Sequence, residues 1–473
     1  MPAVLRAGSQ IMPLVRRLPD ILSHASSLSD LARELGAVCL DHGGTFDSML
    51  AGPLTARLLD RLAAHVAAVD PHAWLSLPAR HGYMPVVAAA GFEDLLRDAD
   101  AYGPVAHFAV LRGLCDRALP HLHEQAAGEI ALDRGTPVPY VSRPIPDVIA
   151  AATPHASTVT RGHLLAPSPF ELFPHAAGGP VRVVLDYAHR ERLDALTWST
   201  SRHLPRIATI HPALGKDDVT IGTSPTAKTF FDLMPKTFVL ADLLVELRAA
   251  RDKGIDLAVL PELSLPPGSG LETALAAAPA AYPPLIVAGS AHVREVSPAS
   301  GLAVRANECE IYLDGRPIAR HRKIHPYVLK DARGARTEQL TGEQKTLRIL
   351  AGEHTRLAVV ICADLNDTLI PSLLESAWVN LLLVPALTDA PGAFGGVIGK
   401  LASICQAVAV VVNASRPPIP TPQGPRQPFH VLAAVPRSKP ADQVRDYTAP
   451  GTPRAARGTF NPNVAPGRAM TWR

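Results

Sequence analysis

The chain has 473 residues, 47% of them hydrophobic, and a formal net charge of +3. That length allows two or three domains at about 150 residues each, and the lack of any run of about 18 uninterrupted apolar residues excludes a membrane-spanning helix. Five cysteines with no CxxC pair exclude a disulfide framework or zinc knuckle and fit a reducing cytoplasm.

Residues 1–135 read as a mainly helical domain. Leu54, Leu58, Leu62, Val66 and Val69 recur at helical spacing after Pro53, a favourable first-turn proline, and Asp70-Pro71 ends the run. Pro13 and Pro19 interrupt the basic N-terminus (Arg6, Arg16, Arg17), so no secretory signal is expected. His65, His72, His107, and His121 and His123 beside Glu124 match no helical ligand pair of the HExxH kind, so no metal site is expected there. Residues 136–180 are rich in proline and polar side chains and read as a linker or wrapping segment.

From residue 181 to 436 strands and helices alternate as in an α/β domain. Strand candidates are Val181–Leu185, Arg206–Ile210, Ile255–Leu260, Pro284–Ser290, Lys345–Leu350, Arg356–Ile361, Leu381–Val384 and Val408–Val412. Cys309–Leu313 and Pro317–Ile324 flank Asp314-Gly315, a type I′ hairpin signal. Helices are expected over Phe238–Lys253, stopped by Gly254, and over Gly396–Gln406. The long stretch from His211 to Lys236 reads as a lid, and Phe429–Val435 as the one late strand. From Ser415 onward nine Arg and Lys face only Asp442 and Asp446, a charge of about +7, amid twelve prolines. Residues 437–473 are therefore expected to be a disordered tail. Its Arg437, Lys439, Arg445, Arg454, Arg457 and Arg468 could neutralise phosphates, with Phe460 or Trp472 stacking on bases. Its aromatics are few and no RNA-binding block accompanies them, so nucleic acid is not the expected partner.

Three hydrophobic strands exit onto polar groups: Glu262 after DLAVLP, Lys323 in RHRKIHP and Cys362 after LAVVI, where Asp364, Asn366 and Asp367 open the next element. Ligands of α/β sheets bind beyond the carboxyl ends of strands. A thiolate attacks, a carboxylate can take its proton, and an ammonium can stabilise a developing oxyanion, which together are what acyl transfer through a thioester requires. Taken singly each has a bland explanation: a helix-start carboxylate, a solvated strand-end lysine, a core cysteine.

LAVLPELSL, HRKIH and VVICADL, followed by NLLLVPAL and AVAVVVNAS, resemble in order the Glu, Lys and Cys blocks of the nitrilase superfamily, the carbon-nitrogen hydrolases, over roughly 205–415. The resemblance implies an αββα sandwich and a hydrolase cleaving a non-peptide carbon-nitrogen bond (amide, carbamoyl or nitrile) through a cysteine thioester. It implies Glu262 as general base, Cys362 as nucleophile, and Lys323 as oxyanion stabiliser helped by the backbone N–H of Ala363. Glu338 would be the second glutamate, with Glu343 a poorer candidate. It implies no cofactor or metal, a small-molecule amide or nitrile as partner, a homodimer, and no membrane. CADLNDTLIP departs from the family pattern, with Ala363 where a bulky residue is common, which leaves the substrate open. Two alternatives stand beside it: an isochorismatase-like cysteine amidase with Asp186 as its acid, and a sensing or scaffold module with no turnover.

Overall fold

A computed structural model of the chain describes residues 128–134, 136–139, 170–174, 179–197, 204–211, 219–222, 228–235 and 238–296. It also describes most of 301–414, and 430–436, 444–447, 456–462 and 470–472. The chain divides into two units, Met1–Val141 with Ser157–Ala177, and Ser142–Ala156 with Gly178–Arg473. The helices expected up to residue 127 lie outside the described residues. In the first unit these are extended: β1 (Glu129–Ala131), β2 (Pro137–Pro139) and β3 (Phe170–Leu172), with β2 and β3 antiparallel. The 136–180 stretch, read as a linker, thus holds a strand pair.

The second unit alternates strand and helix. It opens with β4 (Val181–Asp186), α1 (Arg190–Thr197), β5 (Ile207–His211), β6 (Val219–Gly222) and β7 (Thr229–Pro235). Helix α2 (Leu240–Arg251) buries Leu243, Leu247 and Ala250 on one face, and Gly254, left-handed at φ 65°, closes it. There follow β8 (Leu257–Val259), α3 (Leu271–Ala277), β9 (Leu285–Val287), β10 (Ala291–Val296), β11 (Ala303–Leu313) and β12 (Arg316–Arg322). Asp314 and Gly315, both at positive φ (48° and 77°), make the β11–β12 turn that their sequence predicts.

The chain continues through β13 (Val328–Asp331), β14 (Gly334–Glu338), β15 (Lys345–Ala351) and β16 (Arg356–Val359). Then come α4 (Leu369–Ser376), β17 (Leu381–Ala386), α5 (Gly392–Ile404), β18 (Val408–Asn413) and β19 (Val431–Ala434). The last strands are β20 (Val444–Tyr447), β21 (Ala456–Phe460) and β22 (Met470–Trp472).

One sheet carries the order β4-β15-β16-β17-β18-β19-β20, and a second the order β10-β11-β9-β8-β5-β21-β22, with β12 also on β11. The middle of each sheet is parallel: β16-β17-β18 in one, β5-β8-β9 in the other. Every residue of β16, β17 and β18 is buried, which is why they read as unbroken apolar runs rather than alternating ones. Helices α2 and α3 pack on the second sheet, where Leu247 and Leu275 join Ala258, Ile286 and Tyr312 in one core. Helix α5 packs on β18 and β19, and β5 meets β18 between the sheets, where His211 Nδ1–H donates to the Asn413 carbonyl at 2.8 Å.

Two expectations are corrected. The Pro/Arg-rich tail is not wholly without structure: β20 pairs with β19, and β21 with β5, so the closing strands of both sheets come from it. Phe460 is fully buried and unavailable to a base. These strands are three to five residues long among prolines and arginines, too short for a periodicity signal, and the partner strand supplies the order. The stretch read as a lid holds β6 and β7, in a small sheet of order β13-β14-β7-β6 whose β14 ends on Glu338.

Candidate functional site

Each site residue is delivered by a strand exit that the sequence explains. Strand β16 runs apolar to Val359, Ile361 stays extended, and at Cys362 the backbone turns into the left-handed region at φ 42° and begins a short 3-10 turn, Cys362–Asn366. A non-glycine residue there costs about 1–3 kcal/mol and persists only where surrounding contacts impose it. Glu262 stands three residues beyond β8 in the same manner, with Leu263 after it at φ 56°, its N–H donating to Ser290 Oγ at 3.1 Å. Gly289, also at positive φ, lets β9 approach so closely that an added Cβ would strike Pro261 O and Ser264 Oγ, displacing the loop that carries Glu262. Lys323 follows β12, its N–H held by Asn307 O at 2.8 Å, and Glu338 closes β14.

These exits converge. Lys323 Nζ lies 2.7 Å from Glu262 Oε1 and 2.8 Å from Glu338 Oε2, with all three side chains at most 4% exposed. Asn307 Nδ2 bridges the same two carboxylates, at 2.9 Å from Glu262 Oε1 and 3.0 Å from Glu338 Oε1. His292 Nε2 donates to Glu338 Oε1 at 2.8 Å and the Tyr327 N–H to Oε2 at 2.9 Å. The Cys362 side chain is buried, and both Glu262 and Lys323 are near enough for their charges to act on its thiol. Both nitrogen donors to Glu262 land on Oε1.

The charges follow from these contacts. Burial pushes the Cys362 thiol up and Glu262 adds to it, while Lys323 and the Leu387 amide only partly offset them, so the resting group is a neutral thiol. Burial alone would depress Lys323, but Glu262 and Glu338 overcome it and carry the ammonium well above its ordinary value. Burial would raise Glu338, yet Lys323 first and His292 second hold it below the usual carboxylate range. Buried Cys309 is also pushed up, by burial and by Glu310 and Glu308, and has no comparable cationic partner.

Asp364, fully buried, ties the lysine loop to the cysteine turn. Its Oδ1 accepts from the N–H groups of Ile324 and His325 (2.8 Å each), and its Oδ2 from His321 Nε2 (2.9 Å) and the Ile361 N–H (3.0 Å). Asp364→Asn keeps the shape but turns a donor towards two donors. We expect it to lower stability by about 2 kcal/mol, read by urea denaturation. A midpoint equal to wild type would show that the two loops do not depend on this clamp.

Asp186, the acid of the isochorismatase-like alternative, sits elsewhere: its partners are Arg348 Nη1 at 2.7 Å and the Ala188 N–H at 3.1 Å, with no contact to Lys323 or Cys362. Its place at the end of β4 was legible, but which sheet neighbours β4 was not. Glu343 and the histidines 65, 72, 107, 121 and 123 lie outside the described residues. Asn307 and His292 were not anticipated. The only signal for Asn307 is a polar residue inside the buried strand RANECEIYL, and for His292 none stands out.

No family model matches the chain, and no curated protein does. Solved structures similar to it include Nit3 of Saccharomyces cerevisiae, a member of branch 10 of the nitrilase superfamily, at 16% identity and TM-score 0.34, covering 56% of this chain and 93% of that one. An amidase from Nesterenkonia sp. is similar at 14% identity and TM-score 0.33, covering 56% of this chain and 92% of that one. A glutamine-dependent NAD+ synthetase from Acinetobacter baumannii gives 15% identity and TM-score 0.34, covering 54% of this chain and 45% of that one. Likeness at this level leaves function to the geometry of the site. Among the described residues, no helix is long and apolar enough to cross a membrane.

Proposed function

We propose that the chain is a hydrolase of the nitrilase type that cleaves a non-peptide carbon-nitrogen bond through a thioester on Cys362. The observation that carries this is the buried ammonium of Lys323 bridging Glu262 and Glu338, with the buried thiol of Cys362 within reach of the charges of Glu262 and Lys323. In the first step Sγ attacks the substrate carbonyl carbon while its proton passes to Glu262. The oxyanion that forms is stabilised by Lys323 and by the Ala363 N–H, one of the first amides of the 3-10 turn and so without a carbonyl partner inside it. Protonated Glu262 then gives its proton to the departing nitrogen, and the carbon-nitrogen bond breaks to leave the thioester. Water attacks the thioester, Glu262 takes its proton and returns it to sulfur, and the acid leaves. Amide plus water thus become acid plus amine, with thiol and carboxylate restored.

Glu338 plays a different part. Its two oxygens already accept four donors, which is about all a carboxylate can take. It serves as the fixed anion that holds Lys323 rather than as a base.

Tyr327 supplies a wall for the substrate. Its ring centroid lies 5.9 Å from Lys323 Nζ, yet it is 38% exposed, as is the neighbouring Val328 at 43%. Its backbone N–H and C=O are both tied to Glu338, so an apolar surface is fixed at the mouth of a polar site. Tyr327→Ala should raise KM for butyramide and benzamide about tenfold, ~1.4 kcal/mol, with acetamide unaffected in a steady-state ammonia-release assay. Equal effects on all three amides would remove Tyr327 from the acyl site.

A further inference from the structure

Glu338 depends on a histidine that the hydrolytic steps do not use. His292 lies on β10 opposite Asn307 on β11, and both reach Glu338 Oε1. A carboxylate only accepts, so it is His292 Nε2 that carries the hydrogen. The imidazole, with its side chain fully buried, stacks flat on Phe231, ring centroids 4.4 Å apart and planes 8° apart. Phe231 belongs to β7, whose preceding residue Phe230 pairs in register with Glu338. The β6–β7 pair therefore holds both the glutamate's strand and the ring that fixes its donor.

We propose that His292 is a positioning residue of this site: pinned on Phe231, it donates to Glu338 and keeps that carboxylate an anion aimed at Lys323. This rests on the Glu262-Lys323-Cys362 reading above. The contacts run in one chain, His292 to Glu338 to Lys323 to Glu262, whose charge acts on the Cys362 thiol. Without the imidazole donor, Glu338 protonates at higher pH, and Lys323, left with one anionic partner, turns to Glu262 and blunts it as a base. The charged groups facing this unit are Lys323, Glu262 and Cys362 on one side. On the other are Arg294 and Arg305, whose guanidinium groups lie 5.6 and 5.8 Å from the Phe231 centroid, and Arg336 stands two residues before Glu338 on its own strand.

The test uses the full chain and iodoacetamide, an amide carrying its own electrophile. Sγ bonds to the methylene carbon, iodide leaves, and the thiol proton goes to Glu262. The alkylation rate of Cys362 is followed by peptide mass spectrometry between about pH 2.5 and 8 in wild type, His292→Leu and His292→Gln. We expect His292→Leu to react up to about tenfold more slowly on the acid limb of its profile, which moves up by about one pH unit, because one donor to the anion is gone. His292→Gln, which keeps an N–H donor, should return within about threefold of wild type with the acid limb restored. His292→Leu matching wild type overturns the proposal. So do two variants equally slow with unmoved acid limbs, since that marks packing alone. Wild-type Cys362 reacting no faster than Cys309 overturns the reading beneath it, and needs no variant to show it.

Discussion

Cys362→Ala is expected to lower hydrolysis of every reactive member of a panel of primary amides and nitriles by ~10,000-fold or more, as loss of a covalent nucleophile does. The fold should survive, because the change removes one sulfur from a position set by main-chain contacts: the β16 exit, the 3-10 turn and the Asp364 clamp on the Ile361 N–H. Thermal melting followed by circular dichroism checks that, and ammonia release checks the rate. An alanine variant that melts like wild type and hydrolyses as fast would end the thioester mechanism, whereas a wild type that turns over no member of the panel would leave the scaffold alternative standing. In the proposed mechanism a neutral thiol hands its proton to Glu262, so Glu262→Gln should lose most of the rate as well, while thiol titration alone would not reveal the site.

Lys323→Met carries the largest expected cost in stability. It leaves Glu262 and Glu338, each within 2.8 Å of the lost ammonium, as two buried carboxylates with no counter-charge. Breaking a buried pair from one side costs about 3–5 kcal/mol, and here one cation serves two anions. The deficit should depend on pH in a definite direction. The folded pKa of Glu338 lies below its ordinary value of 4.5, so its contribution is complete above about that pH and is lost as pH falls through the folded value. The folded pKa of Lys323 lies above its ordinary 10.5, so its contribution is complete below that and is lost as pH rises through the folded value. The variant should therefore lag wild type most between about pH 5 and 10 and least near pH 3, where the stranded carboxylates take up protons. Urea denaturation at pH 7 and pH 3 measures both. A deficit as large at pH 3 as at pH 7 would show that lost packing, not charge, is the cause.

Much of the central architecture was legible because buried parallel strands announce themselves as apolar runs. Val181–Leu185, Leu381–Val384 and Val408–Val412 became β4, β17 and β18 with ends within a residue or two. The hairpin at Asp314-Gly315 was legible because a type I′ turn demands residues that tolerate positive φ. The tail strands β20 to β22 were not, because so short a strand among prolines has no pattern of its own and is ordered by the strand it joins. The stretch between His211 and Lys236 looked like a lid because its length was visible while its pairing with β14 was not.

The sequence by itself determined which residue types stand at the strand exits, Glu262, Lys323 and Cys362, because hydrophobic runs ending in a polar residue are a local property. The tertiary structure alone decided that one ammonium joins two glutamates, that Asn307 bridges them, and that Asp186 is remote. It alone decided that His292, standing on Phe231, reaches Glu338. Those contacts join strands far apart in the chain, and the register that brings them within 3 Å is fixed by sheet pairing and packing, to which no single segment holds the key.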